Sequence, residues 1–479
     1  MSSQSSHSTQ SVPKQADVIV VGAGLSGLRA ALRVQEAGLS CIVVEAIDRV
    51  GGKTLSVPSK PSGPGVSDIG GAWINDTSQV EMYRLLRKYG LHGEVQRAEG
   101  MNLLQTPEGA VVAHPHDALP FEEKDQAVVV SALQHLGELV EKISVENSTT
   151  EQFAKDLDHL SAAEYCSKTF QSELVTGLVD TVVQSMVGVQ GSEISMLAFL
   201  HGAKTATGLD AAMSDGKHGA QYLRLREGMQ SFSLKMAEEL KPDTLVLSAP
   251  VTFIEQVPGT HACTVQTGTT TFQAKKVILS IPSTLYHKIA FNPPLPPSKS
   301  RLANENIMGY YSKIIYIFDQ PWWRTAGLSG AIQSMAGPIL FSRDTSVPAD
   351  EQWSITCFLV AGFGREWSQL SQAERRRTAW EQFRAVFEGD ATESQKINIP
   401  EPVNVLEMEW SKEEFFGGAT CPVAPPGLIS SVGISVGVVP FGDIHFVGAE
   451  TSSVWKGYME GAVLSGDRGA QEVIDALKG

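Results

Sequence analysis

"ADVIVVGAGLSGLRAALRVQEAGLSCIVVEAIDRVGGKT", residues 16–54, decides the fold. The run 17–21 is continuous and largely β-branched, as expected of a strand buried on both faces of a parallel sheet. Gly22, Gly24 and Gly27 follow, with Leu25, Leu28 and Leu32 at helical spacing behind them. Gly22 permits a tight turn, Gly24 lets the backbone approach a pyrophosphate, and Gly27 lets helix and strand pack closely. The helix N-terminus adds free amides and the positive end of a dipole. A lone glycine fingerprint is weak evidence. Here a second strand, "CIVVE" (41–45), ends in Glu45, where a carboxylate can accept the ribose hydroxyls of an adenosine. A 2′-phosphate would face that carboxylate, which disfavours NADP.

Arg49, Gly51 and Gly52 then form a second basic, glycine-rich turn directly after the ribose-binding strand, which favours FAD over NAD. Taken singly, these glycine pairs could be no more than tight turns. Two later runs read as strands of the same half, "LVLSAPVTFIEQ" (245–256) and "KKVILSIP" (275–282), and so does "DIHFV" (443–447). Beyond Gly448 and Ala449 a helix is expected, with Val463, Ala470, Val473, Ile474 and Leu477 on one stripe.

The chain of 479 residues is long enough for two domains. Its 38 basic and 53 acidic residues leave a net charge of -15, which argues against nucleic acid or an anionic membrane as partner and mildly favours cationic ligands. Five scattered cysteines, with no paired spacing and no histidine at a zinc-ligand interval, predict a reduced compartment and no metal. "MSSQSSHSTQSVPKQ" (1–15) reads as a polar, disordered tail and not as a secretory signal. No apolar run is long enough to span a bilayer, so a soluble, cytoplasmic protein is expected.

Segments 93–225 and 301–412 differ in character. The first is rich in helix formers, and the second mixes strand-like "YYSKIIYIF" and "WSITCFLV" with helical "QAERRRTAWEQFRAVFEG". The Pro-rich "FNPPLPPSK" (291–299) reads as a crossing. We therefore expect an α/β fold in which a discontinuous Rossmann-type domain (16–92, 226–300 and 413–479) is interwoven with an α+β substrate domain (93–225 and 301–412).

"ENIMGYYSKIIYIFDQPWWR" (305–324), "EEFFGGATCPVAPPG" (413–427) and "FVGAETSSVWKGYMEGAV" (446–463) stand in the order and spacing of monoamine oxidase-like enzymes. With the fingerprint they make the chain resemble the flavin amine oxidase superfamily, whose architecture is shared with p-hydroxybenzoate hydroxylase. "LSCIVVEAIDRVGGKTLSV", "GYYSKI", "WSITCF" and "VWKGYMEGA" look most like the fungal aminopolyol amine oxidases that deaminate fumonisin mycotoxins. The resemblance implies FAD, an amine substrate and O₂, and it allows a homodimer without requiring one. It also places Leu25, Ser26, Ala46, Lys53, Gly71, Ala72, Trp73, Val251, Trp410, Gly448, Glu450 and Met459 beside the cofactor. For residues 448–451 it implies a helix N-terminus aimed at the pyrophosphate and ribityl chain.

Lys313 lies in a strand with two apolar faces. By itself it could be a snorkelling or edge lysine, but it matches the family lysine that holds a water against flavin N5 and assists reoxidation by O₂. Tyr458 matches one wall of the aromatic cage that orients the amine, and Trp455 stands near it; ordinary core packing is the alternative for both. Gln221 matches a glutamine of the substrate cavity. Where monoamine oxidases carry a flavin-bonded cysteine and then the second cage tyrosine, this chain has Ala419 and Thr420. The resemblance therefore implies non-covalent FAD, one aromatic wall and a wide mouth, with a shifted linkage at Cys421 or another thiol as the alternative. The reaction implied is transfer of the α-hydrogen of an amine to the flavin, hydrolysis of the imine to a carbonyl compound and ammonia, and release of H₂O₂ on reoxidation. The rival readings are an oxidase of polyamines or L-amino acids, the latter needing an arginine clamp, and a non-catalytic flavoprotein.

Overall fold

The computed structural model describes residues 13–116, 118, 120–145, 152–389 and 397–479. Strand Val18–Val21 is buried at every position and runs between strands Cys41–Val44 and Lys276–Leu279. Leu245–Val246 and Ile444–Phe446 complete a five-stranded, all-parallel sheet. Helix Leu25–Glu36 covers one face together with the last helix, Met459–Lys478. Their close approach depends on Gly466, since a Cβ there would lie 2.4 Å from the Ser26 carbonyl oxygen.

Three strands, Val251–Val257, Ala262–Thr267 and Thr271–Ala274, form an antiparallel meander that Ala290–Asn292 extends at one edge. Lys14–Gln15 pairs in parallel with the other edge. This corrects the expected boundary of the tail. Ala16 donates to the Gln273 carbonyl and Asp17 pairs with Lys275, so backbone pairing extends two residues further than polarity suggested. Residues 1–12 of the expected tail lie outside the described residues.

The remaining sheet has seven strands in the order Asn404–Glu409, Tyr311–Phe318, Trp353–Val360, Phe341–Asp344, Leu328–Ser334, Met101–Gln105 and Val111–Pro115. Segments either side of the nucleotide-binding pieces thus meet in one sheet, with Leu328–Ser334 parallel to Met101–Gln105. On its outer face Tyr316 and Phe318, with nearby Trp322, pack against Phe383 of helix Gln372–Glu388, beside which Trp380 stacks. A second layer of helices, from Glu123–Lys142 to Met196–Thr205, buries its own apolar cluster, to which Val423, Ala424, Leu428 and Ile429 also belong. Residues 422–432 therefore pack with the substrate half, and the return to the nucleotide-binding half falls later than 413. The helix expected straight after Gly448 begins only at Met459; residues Ala449–Thr451 form a single 3₁₀ turn.

Candidate active site

One cavity of about 980 Å³ runs from the first glycine turn to the seven-stranded sheet. Its first end is built from backbone. Gly22 has φ +103°, and a Cβ there would sit 2.9 Å from the Ser280 carbonyl oxygen. A Cβ on Gly27 would meet the Gly22 oxygen at 2.0 Å, so Gly27 serves packing beneath the cavity and does not line it. Gly24 bridges to Gly51, and Gly52 (φ +58°) lies so close to Gly24 that a Cβ would approach its Cα to 3.2 Å. Leu25, Ser26, Ala46 and Val251 line the same stretch.

Glu45 ends its strand with the carboxylate fixed. Oε2 accepts from the Ala23 amide at 2.6 Å and Oε1 from the Ile47 amide at 3.1 Å. Burial pushes its pKa up, against the pull of those amides. The glycine cradle and a carboxylate anchored at the end of the second strand fit the adenosine and pyrophosphate of a dinucleotide. Arg49 is not brought to the cavity: its guanidinium lies 5.7 Å from the centre of the Phe416 ring and donates to the Val50 and Thr54 carbonyls.

Further along, Lys53 donates to the Thr420 carbonyl at 2.7 Å, tying the end of the fingerprint to the 417–421 loop. Burial lowers its pKa. Glu450 accepts from the Ser283 amide at 2.7 Å and from its hydroxyl, and burial raises its pKa. Gly448, Gly71, Ala72, Trp73, Trp410 and Met459 line this middle section, and the Trp410 indole N–H donates to the Ile69 carbonyl.

Lys313 is 4% exposed and points across the sheet face into the cavity. Its ammonium donates to the carbonyls of Asp68 (3.1 Å) and Gly70 and lies 5.2 Å from the centre of the Phe358 ring and 5.6 Å from that of Trp73. Burial brings its pKa down to about 8, with nearby Asp68 opposing the shift. Tyr458 also lines the cavity, its ring edge-on to Trp455 at 4.9 Å. Trp455 itself is not in the wall. Fully buried behind Tyr458, it packs among Ala206, Ala212 and Ala220 and donates to the Ser78 carbonyl, so it supports the tyrosine from the rear.

Gln221 donates to the Ala212 carbonyl, whereas its Oε1 is buried without a partner, an acceptor left over for an N–H group. Thr420 lines the cavity and donates to the Met186 carbonyl. Cys421 lies against Gly457, where a Cβ would come within 2.8 Å of Sγ, and burial raises its thiol pKa. All five cysteines are free.

Several lining residues were missed by sequence reasoning. Tyr311, on the strand of Lys313, puts a further aromatic ring into the cavity and donates to the Ser185 carbonyl. Its alternation with Lys313 in the strand was the available signal. Arg343, Lys456 and Arg468 carried no such signal. Among the described residues the cavity wall holds Lys53, Lys288, Lys313, Arg343, Lys456 and Arg468 but only two carboxylates, Glu45 and Glu450.

The sequence profile described as flavin containing amine oxidoreductase matches residues 25–474, and the chain belongs to this family. It is 30% identical over 462 residues to the probable flavin-containing monoamine oxidase A of Dictyostelium discoideum, covering 96% of this chain and 98% of that one. It is also 30% identical to the flavin-containing amine oxidase B of Canis lupus familiaris, over 96% of this chain and 86% of that one. Among solved structures, putrescine oxidase bound to putrescine superposes with a TM-score of 0.88 at 26% identity, over 97% of this chain and 100% of that one. Cyclohexylamine oxidase from Brevibacterium oxydans gives the same score at 27% identity, with the same coverage. The protein is accordingly an FAD-carrying amine oxidoreductase with the flavin amine oxidase fold. No helix among the described residues is long and apolar enough to cross a membrane.

Proposed function

We propose that the enzyme deaminates a primary amine borne on a long, flexible, polyhydroxylated or acylated chain, of the fumonisin type, giving the carbonyl compound, ammonia and H₂O₂. The observation that carries the reading is the 417–421 loop, where the cavity is lined by the small side chains Ala419 and Thr420 and not by a ring at those two positions. An opening bounded there by a small hydroxyl side chain suits a bulky aliphatic amine better than a flat arylalkylamine.

FAD supplies the two-electron acceptor at the amine carbon and returns those electrons to O₂. The protein's own groups supply the rest. The closed, largely apolar cavity disfavours the ammonium form and so favours the free amine, whose lone pair must be available. Tyr458, steadied by Trp455, presents a ring face to the nitrogen, and Gln221 Oε1 accepts its N–H. Lys313, held by the Asp68 and Gly70 carbonyls, positions water and moves a proton where O₂ reacts. Role assignments for Glu45, the glycine turns, Gly448, Glu450 and Met459 are cofactor binding, for Thr420 shaping of the mouth, and for Trp455 positioning.

A polyamine substrate is disfavoured because a second ammonium would meet the excess of cations in the wall. Catalytic efficiency on a fumonisin-like aminopolyol against benzylamine tests the reading: a large preference for the aminopolyol is expected, and a large preference for benzylamine refutes it.

A further inference from the structure

Six cationic side chains against two carboxylates is an unusual wall for a protein whose net charge is -15. Lys53 and Lys456 lie near Glu450, and Lys313 is committed to backbone carbonyls. Arg343 is different. It sits on strand Phe341–Asp344, two residues from Phe341 and therefore on the same face of the sheet. Its Nη1 donates to the Ser342 carbonyl, and its guanidinium lies 5.7 Å from the centre of the Phe341 ring. Its Nε forms a loose ion pair with Asp215 Oδ2 at 3.7 Å, wider than a hydrogen bond, while His116 engages the other oxygen of that carboxylate at 3.0 Å. Nη2 has no protein partner among the described residues, and the side chain is about one quarter exposed.

Register fixes where this donor stands relative to the reacting end of the cavity. Lys313 is directly opposite Phe358, and Phe358 directly opposite Phe341. The two phenyl rings stack at 4.2 Å with an interplanar angle of 10°. The sheet face thus carries a row of cation, ring, ring, cation from Lys313 to Arg343. Two strand spacings and a two-residue step separate the two Cα atoms by about 12 Å. A planar guanidinium with an unused edge, at the end of an aromatic strip, is a carboxylate receptor.

We propose that Arg343 anchors a carboxylate carried by the far part of the substrate, roughly ten bonds from the reacting amine, given ~1.2 Å of extended chain per bond. This deepens the deamination reading and rests on it. The spacing also rules out an α-amino acid as the occupant of both ends, since its carboxylate and its amine share one carbon. The phenyl pair gives the intervening chain an apolar bed.

The test compares an ω-amino acid of that length with its methyl ester and with the alkylamine, on wild type, Arg343→Gln and Arg343→Lys, all FAD-loaded. Wild type should favour the acid over the ester by about ten- to a hundredfold in kcat/KM, chiefly through KM. Arg343→Gln should lose that preference while oxidising the alkylamine as before, and Arg343→Lys should keep part of it. Equal efficiency on acid and ester in wild type, or a preference that survives in Arg343→Gln, overturns the proposal. If no amine is oxidised, the deamination reading fails separately. Calorimetric titration with the corresponding unsubstituted alkanoate then decides: a Kd at least about tenfold weaker in Arg343→Gln upholds the anion site, and an equal Kd overturns it.

Discussion

Replacing Lys313 by methionine removes a charge that the fold holds at a measurable cost. Burial lowers the ammonium's pKa to about 8, whereas an unfolded lysine titrates near ~10.4. Below pH 8 both states hold the proton and the folded state bears the full desolvation. Between about 8 and 10.4 only the unfolded chain binds the proton, so this group makes stability rise with pH. Above that window the penalty is gone. At ~1.4 kcal/mol per pKa unit the change is about 3 kcal/mol. Methionine has no such dependence, so wild type should gain that amount on Lys313→Met between pH 7 and pH 10.5. With an unfolding entropy of ~2.1 cal/mol/K per residue over 479 residues, this corresponds to about 3 °C in relative melting temperature. Melting curves of both flavin-loaded proteins across that range provide the assay. A melting difference that stays constant to within about 1 °C from pH 7 to 10.5 refutes the argument. The same variant should retain FAD but reoxidise slowly, and the wild-type reoxidation rate should change with a midpoint near pH 8, a feature absent from the variant. Stopped-flow mixing with O₂ reads both.

Glu45→Ala should weaken FAD binding by about 1.5–3 kcal/mol, or roughly ten- to 150-fold in Kd, because the ribose loses a charge-assisted acceptor. Glu45→Gln, which keeps an acceptor oxygen for only one of the Ala23 and Ile47 amides, should fall between, and equal Kd values by flavin fluorescence titration count against the assignment. Acid precipitation should leave yellow flavin in the supernatant, since Ala419 has no sulfur and Cys421 is a buried thiol lodged against Gly457. Flavin retained in the pellet would mean that a thiol is bonded to it.

The nucleotide-binding end was legible because it is local. Strand, turn and helix between Asp17 and Glu36 are decided by residues adjacent in the chain, and Glu45 follows within one supersecondary unit. The strand of Lys313 was legible for the same reason, down to which neighbours share its face. What alternation cannot tell is what that face looks at. Tyr311, Phe341, Phe358 and Arg343 become one surface only when three strands pair in register. Trp455 was misplaced for a related reason: it lies three residues from Tyr458, yet its ring turns into a pocket of alanines. Arg49 looked like a phosphate ligand by composition, but the ring of Phe416, distant in sequence, takes its guanidinium.

The packing of helix Met459–Lys478 onto helix Leu25–Glu36 has a consequence for biosynthesis. Synthesis at roughly 5–20 residues per second separates the emergence of these two helices by ~20–90 s. During that interval the part of the first helix that meets Met459–Lys478 and one edge of its sheet lack their final cover, because Ile444–Phe446 is also still to come. The cofactor cradle therefore closes only after this later strand and helix are made, and stable flavin loading should follow their synthesis. Substitutions that loosen the Gly466 contact should be felt first as aggregation of newly made protein at the ribosome, before any loss of activity in the molecules that mature.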